Sequence, residues 1–151
     1  MSQRTFSILT AAIAAVVISS SLALAQTPAV TVHDAWVREP MGGRNMTGAF
    51  AVVENSSATT KAIVAASSDI SDKVELHEMK NENGMMKMSP VKKVDVPAKG
   101  KVELKPGSFH VMLFEVKKKI ADGEKISLTF TFDDGSKVTT EAQVRKAGTM
   151  Q

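Results

Sequence analysis

Val74-Glu75-Leu76-His77-Glu78-Met79-Lys80-Asn81-Glu82-Asn83-Gly84-Met85-Met86-Lys87-Met88 carries at its centre the dipeptide Asn83-Gly84. Asn-Gly is a strong signal for a two-residue hairpin turn, because both positions tolerate the positive φ that a type I′ turn demands. If the turn forms, Glu82 pairs with Met85, and counting outward sets Met79 opposite Met88 and Leu76 opposite Val91. Side chains alternate between the two faces of a strand. The Leu76/Val91 pair therefore takes one face, the natural core side. His77, Met79, Met86 and Met88 share the other, with His77 diagonal to Met88 at roughly 7–8 Å between backbones. A loop longer by one residue would shift the register and send each of these side chains to the opposite face.

Working outward from this hairpin, the chain keeps the same character. Segments rich in Val, Ile, Thr and Phe alternate with turn clusters, and no window carries a helical stripe. Strands are predicted near Val30–Arg38, Thr47–Glu54, Lys61–Ala66, Lys73–Met79, Met85–Val96, Lys101–Leu104, Phe109–Val116, Lys125–Phe132 and Lys137–Val144. Between them lie reversals such as Pro40-Met41-Gly42-Gly43, Pro97-Ala98-Lys99-Gly100, Pro106-Gly107 and Asp133-Asp134-Gly135, each built from residues that favour turns. About nine strands at this spacing predict an all-β single domain, an antiparallel sandwich or Greek-key barrel. Lys117-Lys118-Lys119-Ile120 reads as a short helical turn whose lysines form a solvated edge, or else a docking patch for an acidic partner.

A second stretch repeats the chemistry of the first. In Pro106-Gly107-Ser108-Phe109-His110-Val111-Met112-Leu113-Phe114, alternation puts Phe109, Val111 and Leu113 on one face and His110 with Met112 on the other. Two residues on one strand face stand roughly 6.6 Å apart, a gap that an imidazole and a flexible thioether can span to meet at one ion. Both stretches thus offer one His and at least one Met from a face turned away from the core. Imidazole and thioether together make a soft, largely neutral ligand set. It suits Cu(I) and is poor for Mg, Ca or Mn. With no thiolate, such a site would release its ion readily to a partner that has one. His33, in Val32-His33-Asp34, reads as an ordinary strand or surface residue. Met41, Met46, Met85 and Met150 taken singly read as packing or contact residues.

Composition narrows the field further. The 151 residues include no Cys, nine Met, three His and seven aromatics, with a net charge of +3. Without Cys there is no disulfide, thiolate zinc site, iron–sulfur cluster, Cys nucleophile or blue-copper centre. Mild charge and sparse aromatics argue against nucleic-acid binding. No nucleophile elbow, paired-carboxylate spacing or phosphate-binding glycine loop is present, so an enzyme is not expected. Residues 1–25 have one Arg near the start, an apolar run from Phe6 to Ile18, and the ending Ala23-Leu24-Ala25. This is the anatomy of a cleaved secretory signal peptide. No Cys follows it, so a lipid anchor is not expected. Residues 26–151 then form the mature domain, exported and not embedded in a membrane. Asn45 and Asn55 stand in Asn-x-Ser/Thr sequences, acceptors only in a eukaryotic secretory pathway.

The spacing of the soft ligands is His77, ten residues, Met88, twenty-one residues, then His110-x-Met112. Together with Asp34-Ala35-Trp36-Val37-Arg38, His77-Glu78-Met79, Met88-Ser89-Pro90-Val91, the Pro106-Gly107-x-x-His110-Val111-Met112-Leu113 block and Gly123-x-x-x-x-Leu128-Thr129-Phe130, it resembles the PCu(A)C family of periplasmic copper chaperones over nearly the whole mature chain. The resemblance implies a cupredoxin-like β-barrel binding one Cu(I) per chain through His77, Met88, His110 and Met112, with Met79 a neighbour. It also implies a monomer that passes copper toward the CuA centre of cytochrome c oxidase, often with Sco-type thiol proteins. The His- and Met-rich extension that holds Cu(II) in some members has no counterpart in Ala147-Gly148-Thr149-Met150-Gln151, so one ion is expected. On this reading His110 and Met112 are held rigidly on one strand while the His77/Met88 hairpin closes over the ion. The alternatives are a periplasmic protein that buffers copper for resistance, and a metal-free module whose methionines form a contact surface.

Overall fold

The computed structural model describes residues 28–148. The predicted leader, residues 1–25, lies outside the described residues. Ten strands succeed one another in chain order: β1 (Val30–Arg38), β2 (Thr47–Asn55), β3 (Lys61–Ser68), β4 (Lys73–Glu82), β5 (Met85–Pro90), β6 (Val94–Val96), β7 (Gly100–Leu104), β8 (His110–Phe114), β9 (Lys125–Phe132) and β10 (Lys137–Arg145). They are hydrogen-bonded in the order β5-β4-β8-β2-β1-β10-β9-β3-β6, with β7 also on β2. Only β1/β2, β4/β5 and β9/β10 join strands consecutive in sequence; the other pairs are long-range, as in a Greek key. The first and last strands run parallel, where an all-antiparallel arrangement was expected.

Each strand sends alternate side chains inward. Val37, Ala49, Val53, Ile63, Leu113, Leu128, Phe130, Phe132 and Val144 belong to one buried apolar cluster, each large side chain contributing roughly 1.5–3 kcal/mol. β5 adds nothing to that core. It is an edge strand that carries Met85, Met86 and Met88, with Lys87 and Pro90 to discourage pairing with another chain.

Three irregularities shape the outer face of the sheet. On β1 the pairing shifts by one residue between His33 and Trp36, and Asp34 sits in the bulge at φ 52°. The inward set consequently changes from Val30 and Val32 to Ala35 and Val37, and Trp36 turns to the outer face. The predicted single strand Met85–Val96 is two strands. Pro90 has no N–H for a ladder, so β5 ends there, and β6 pairs with β3 instead. Finally, β7 and β8 lie end to end along one edge of β2, with Leu104 opposite Ala51 and Val111 opposite Ala49. An unbroken strand would put residue 106 opposite Ala49, so five residues, 105–109, are looped out. Phe109 O accepts from Lys105 N–H at 2.9 Å and closes the loop.

No helical turn forms at Lys117–Ile120, which runs as bends. Ile120 is drawn into the core and Lys117 pairs with Asp72 at 2.6 Å, tertiary contacts that outweigh a weak local preference. Asn55 is fully enclosed, its amide donating to Thr59 O and Val96 O. It is a structural tie between the β2–β3 turn and β6.

Candidate metal centre

The hairpin register obeys the Asn83-Gly84 turn: Asn83 and Gly84 both have positive φ, Glu82 pairs with Met85 and Met79 with Met88. Met79 and Met88 of the hairpin line one cavity with His110 and Met112. β4 is hydrogen-bonded to β8 on its other side, and His77 is the direct partner of His110. On the same ladder Glu75 faces Met112, and on the next Met112 faces Gly48. One outer sheet surface therefore carries Met88, Met79, His77, Glu75, His110 and Met112 side by side, with Phe50 and Trp36 continuing it across β2 and β1. All four predicted ligands are on this surface.

The face is turned from the core, as the alternation predicted, yet the imidazoles are covered: His77 and His110 are each 6% exposed. The β1–β2 loop and the 105–109 loop form the walls of a cavity of about 290 Å³ lined by His110, Met79, Met88, Met112, Met41 and Met46. Phe50 is the floor, stacked on Trp36 with ring centroids 4.4 Å apart and 6.2 Å from His110. Gly48 makes room for it, since a Cβ there would stand 3.0 Å from the Phe50 ring. Arg38, Arg44 and Glu39 also line the cavity and give its rim a small net positive charge.

The two imidazoles are 5.8 Å apart between ring centroids, and their hydrogen bonds decide which nitrogen is free. A carbonyl or carboxylate only accepts, so the ring nitrogen facing it must carry the proton. His110 Nδ1 donates to Ser108 O at 3.1 Å, which leaves the Nε2 lone pair available. The same carbonyl accepts from Met79 N–H at 3.2 Å, so the looped-out segment pins both strands. His77 Nε2 donates to Glu75 Oε2 at 2.9 Å. Its Nδ1 is then an acceptor, and it is buried with no partner, the one such side-chain atom among the described residues. An orphaned buried lone pair costs about 1–3 kcal/mol, and a bound cation would satisfy it. Ser71 Oγ locks the register by donating to Phe114 O at 2.5 Å and accepting from Lys73 N–H at 3.2 Å. Among the described residues no group of three His, Cys, Asp and Glu is placed to hold a metal. The donors beside the two imidazoles that the cavity offers are the thioethers of Met79, Met88 and Met112.

His33 stands apart on β1, exposed and paired with Asp34 and Glu54. Those partners raise its pKa, and it plays no part in the cavity. His110 shifts the other way: burial lowers its pKa below the ordinary 6.5, the nearby His77 and Arg38 charges lower it further, and the bond to Ser108 opposes them. The ring is neutral at pH 7, as a ligand must be. The folded state thus binds this proton less readily than the unfolded chain. The stability that comes with the neutral ring is complete above about pH 6.5 and is lost as pH falls through the lower folded value. Melting of the metal-free protein from pH 7.5 to 4.5 is expected to show this decline, and His110→Gln to flatten it; identical profiles would contradict the assignment.

The family profile described as "Putative lipoprotein LpqE-like" matches residues 30–144. A relative from Leifsonia xyli subsp. xyli, named "Putative lipoprotein Lxx21020", is 38% identical over 120 residues, 76% of this chain and 71% of that one. Among solved structures, the copper-bound PCuAC domain from PmoF2 superimposes with a TM-score of 0.68 at 20% identity, covering 81% of this chain and 97% of that one. The Cu(I) form of DR1885 from Deinococcus radiodurans gives 0.62 at 24%, covering 86% and 87%. The chain belongs to the LpqE-like, PCuAC family, and its fold is the cupredoxin-like β-sandwich of those domains.

Proposed function

We propose that this protein is an exported, non-enzymatic Cu(I) carrier that binds one ion through His77, Met88, His110 and Met112 and yields it to a cysteine-bearing acceptor. The observation that carries the reading is the pairing of His77 with His110 on one ladder, one with a free Nε2 and the other with an orphaned Nδ1, beside a cavity lined by thioethers. Cu(I) has no strong geometric demand and favours soft, neutral donors. The solved fold neighbours named for copper-bound and Cu(I) states support the choice of ion.

Release depends on the same donors. Thioethers are weaker than thiolate toward Cu(I), and Met88 is 45% exposed, so an incoming thiolate meets the most replaceable ligand first. The CuA domain of cytochrome c oxidase, or a Sco-type thiol protein, has the chemistry to receive the ion in the periplasm. The buried imidazoles are the last to let go.

The deciding experiment mixes the Cu(I)-loaded protein anaerobically with such acceptor domains and scores the copper moved. Near-complete transfer supports delivery. Retention of copper, together with copper sensitivity and an intact oxidase in a deletion strain, would point to buffering instead. Failure to retain one Cu(I) on a desalting column would end the reading and favour a metal-free contact module.

Glu75 gives a finer check. Its carboxylate orients His77 and is itself partly exposed, so Glu75→Ala leaves the core untouched. Cu(I) affinity is expected to fall about 10-fold, the loss typical when the partner that orients a ligating histidine is removed, and the metal-free protein to lose about 1–3 kcal/mol, because the buried Nε2–H of His77 is left without its acceptor. Equal affinity in competition with a chromogenic chelator would show that the Glu75–His77 bond does not matter for binding.

A further inference from the structure

Three methionines of the cavity have no part in the proposed ligand set: Met41, Met46 and Met79. Among the described residues, the large apolar side chains left exposed are five methionines and Val64; Met41 is 59% exposed and Met46 40%. A surface made for apolar contact alone would draw on Leu, Phe, Trp or Tyr as well. Here the large apolar side chains exposed around the cavity are sulfur-bearing. Thioether chemistry accounts for that selection better than hydrophobicity.

The backbone supports the same reading. Met41 and Met46 lie at either side of the β1–β2 loop, which is tied at its ends by Glu39 N–H to Arg145 O and Val116 N–H to Asn45 O, both at 2.8 Å. Between the ties, Gly42 and Gly43 hold φ values of +62° and +71° in a turn closed by Arg44 N–H to Met41 O at 3.2 Å, with open space where a Cβ would stand. Small shifts there cost little, and the two side chains can adjust to an ion. Met79, across the cavity on β4, has its backbone fixed by the bond to Ser108 O. Adjustable donors thus face an anchored one.

We propose that Met41, Met46 and Met79 form an outer, thioether-only Cu(I) site, through which the ion passes on its way into and out of the inner imidazole-containing site. The inference rests on the inner site proposed above. Three neutral thioethers satisfy Cu(I) softly and without imidazole, so the outer site is the weaker of the two and suits a transient stop. The donors are neutral, and Arg38 and Arg44 outnumber Glu39 around the cavity, so no excess of negative charge holds the ion there.

The test uses the full protein with ¹³C-methyl methionine, titrated anaerobically with Cu(I) supplied as its acetonitrile complex. The Met88 and Met112 methyl signals are expected to move up to the first equivalent, and those of Met41, Met46 and Met79 between the first and the second. Saturation of Met88 and Met112 with the other three unmoved through three equivalents would overturn the outer site alone. Movement of the three without Met88 and Met112 would uphold it and remove the inner assignment, and no movement at all would overturn both. Met41→Leu with Met46→Leu then separates sulfur from apolar contact, since leucine keeps the volume. Transfer to a Cys-x-x-Cys peptide is expected to slow about fivefold or more while first-equivalent affinity stays within about twofold; an unchanged rate would remove the transfer role.

Discussion

Replacing His110 and Met112 together by alanine is expected to lower Cu(I) affinity by at least about a hundredfold, roughly 2.7 kcal/mol, while leaving the fold intact. Both side chains leave β8 on its outer face, and the strand's inward residues, Val111 and Leu113, are fully buried and unaffected. The change removes an imidazole and a thioether at once, and leaves only Met88 on β5, which lines the cavity, and His77 on β4, which is buried beside it. Two donors in place of four leave the ion open to water and to any competing chelator. Anaerobic competition with a chromogenic Cu(I) chelator reads the affinity, and a urea melt of the metal-free variant shows whether the sandwich persists. Unchanged affinity in a folded variant would sink the assignment of the site.

The second large effect lies in the core. Phe130 on β9 is among the largest fully buried side chains, and its strand is bonded to β10 on one side and β3 on the other. Phe130→Ala is expected to cost about 3–5 kcal/mol, the sum of lost transfer free energy and an unfilled cavity. Domains of this size have only about 5–15 kcal/mol in hand, so the urea midpoint should fall by a large fraction. A loss under about 1 kcal/mol would mean that the surrounding side chains collapse into the space, and that the packing around Phe130 is looser than its burial implies. Copper binding should survive in the variant below its melting temperature, because β9 is not hydrogen-bonded to β4, β5 or β8, the strands that carry the proposed ligands.

Much of the local structure was legible from residues alone, and for identifiable reasons. β1 and β9 begin and end where alternation and turn residues place them. The β4/β5 register came from Asn83-Gly84, because so short a turn leaves no freedom in how the strands meet. The face shared by His110 and Met112 came from a period of two. Other features left weak signals. The β1 bulge shows only as a break in alternation at His33-Asp34, and the division of β5 from β6 only as Pro90.

By itself, the sequence determined the all-β class, the hairpin register, the absence of thiolate chemistry and the set of soft donors on non-core faces. These rest on side-chain type and on neighbours within a few residues, which local geometry settles. Only the tertiary structure decided that β4 lies against β8, so that His77 meets His110 across 33 positions of sequence. It alone showed that a five-residue excursion brings the Ser108 carbonyl to one imidazole, and that the loop carrying Met41 and Met46 walls the cavity. Strand pairing at long range is chosen by the packing of the whole core and not by the residues that pair. For that reason a side chain's face could be read from the chain, and its partner across the sheet could not.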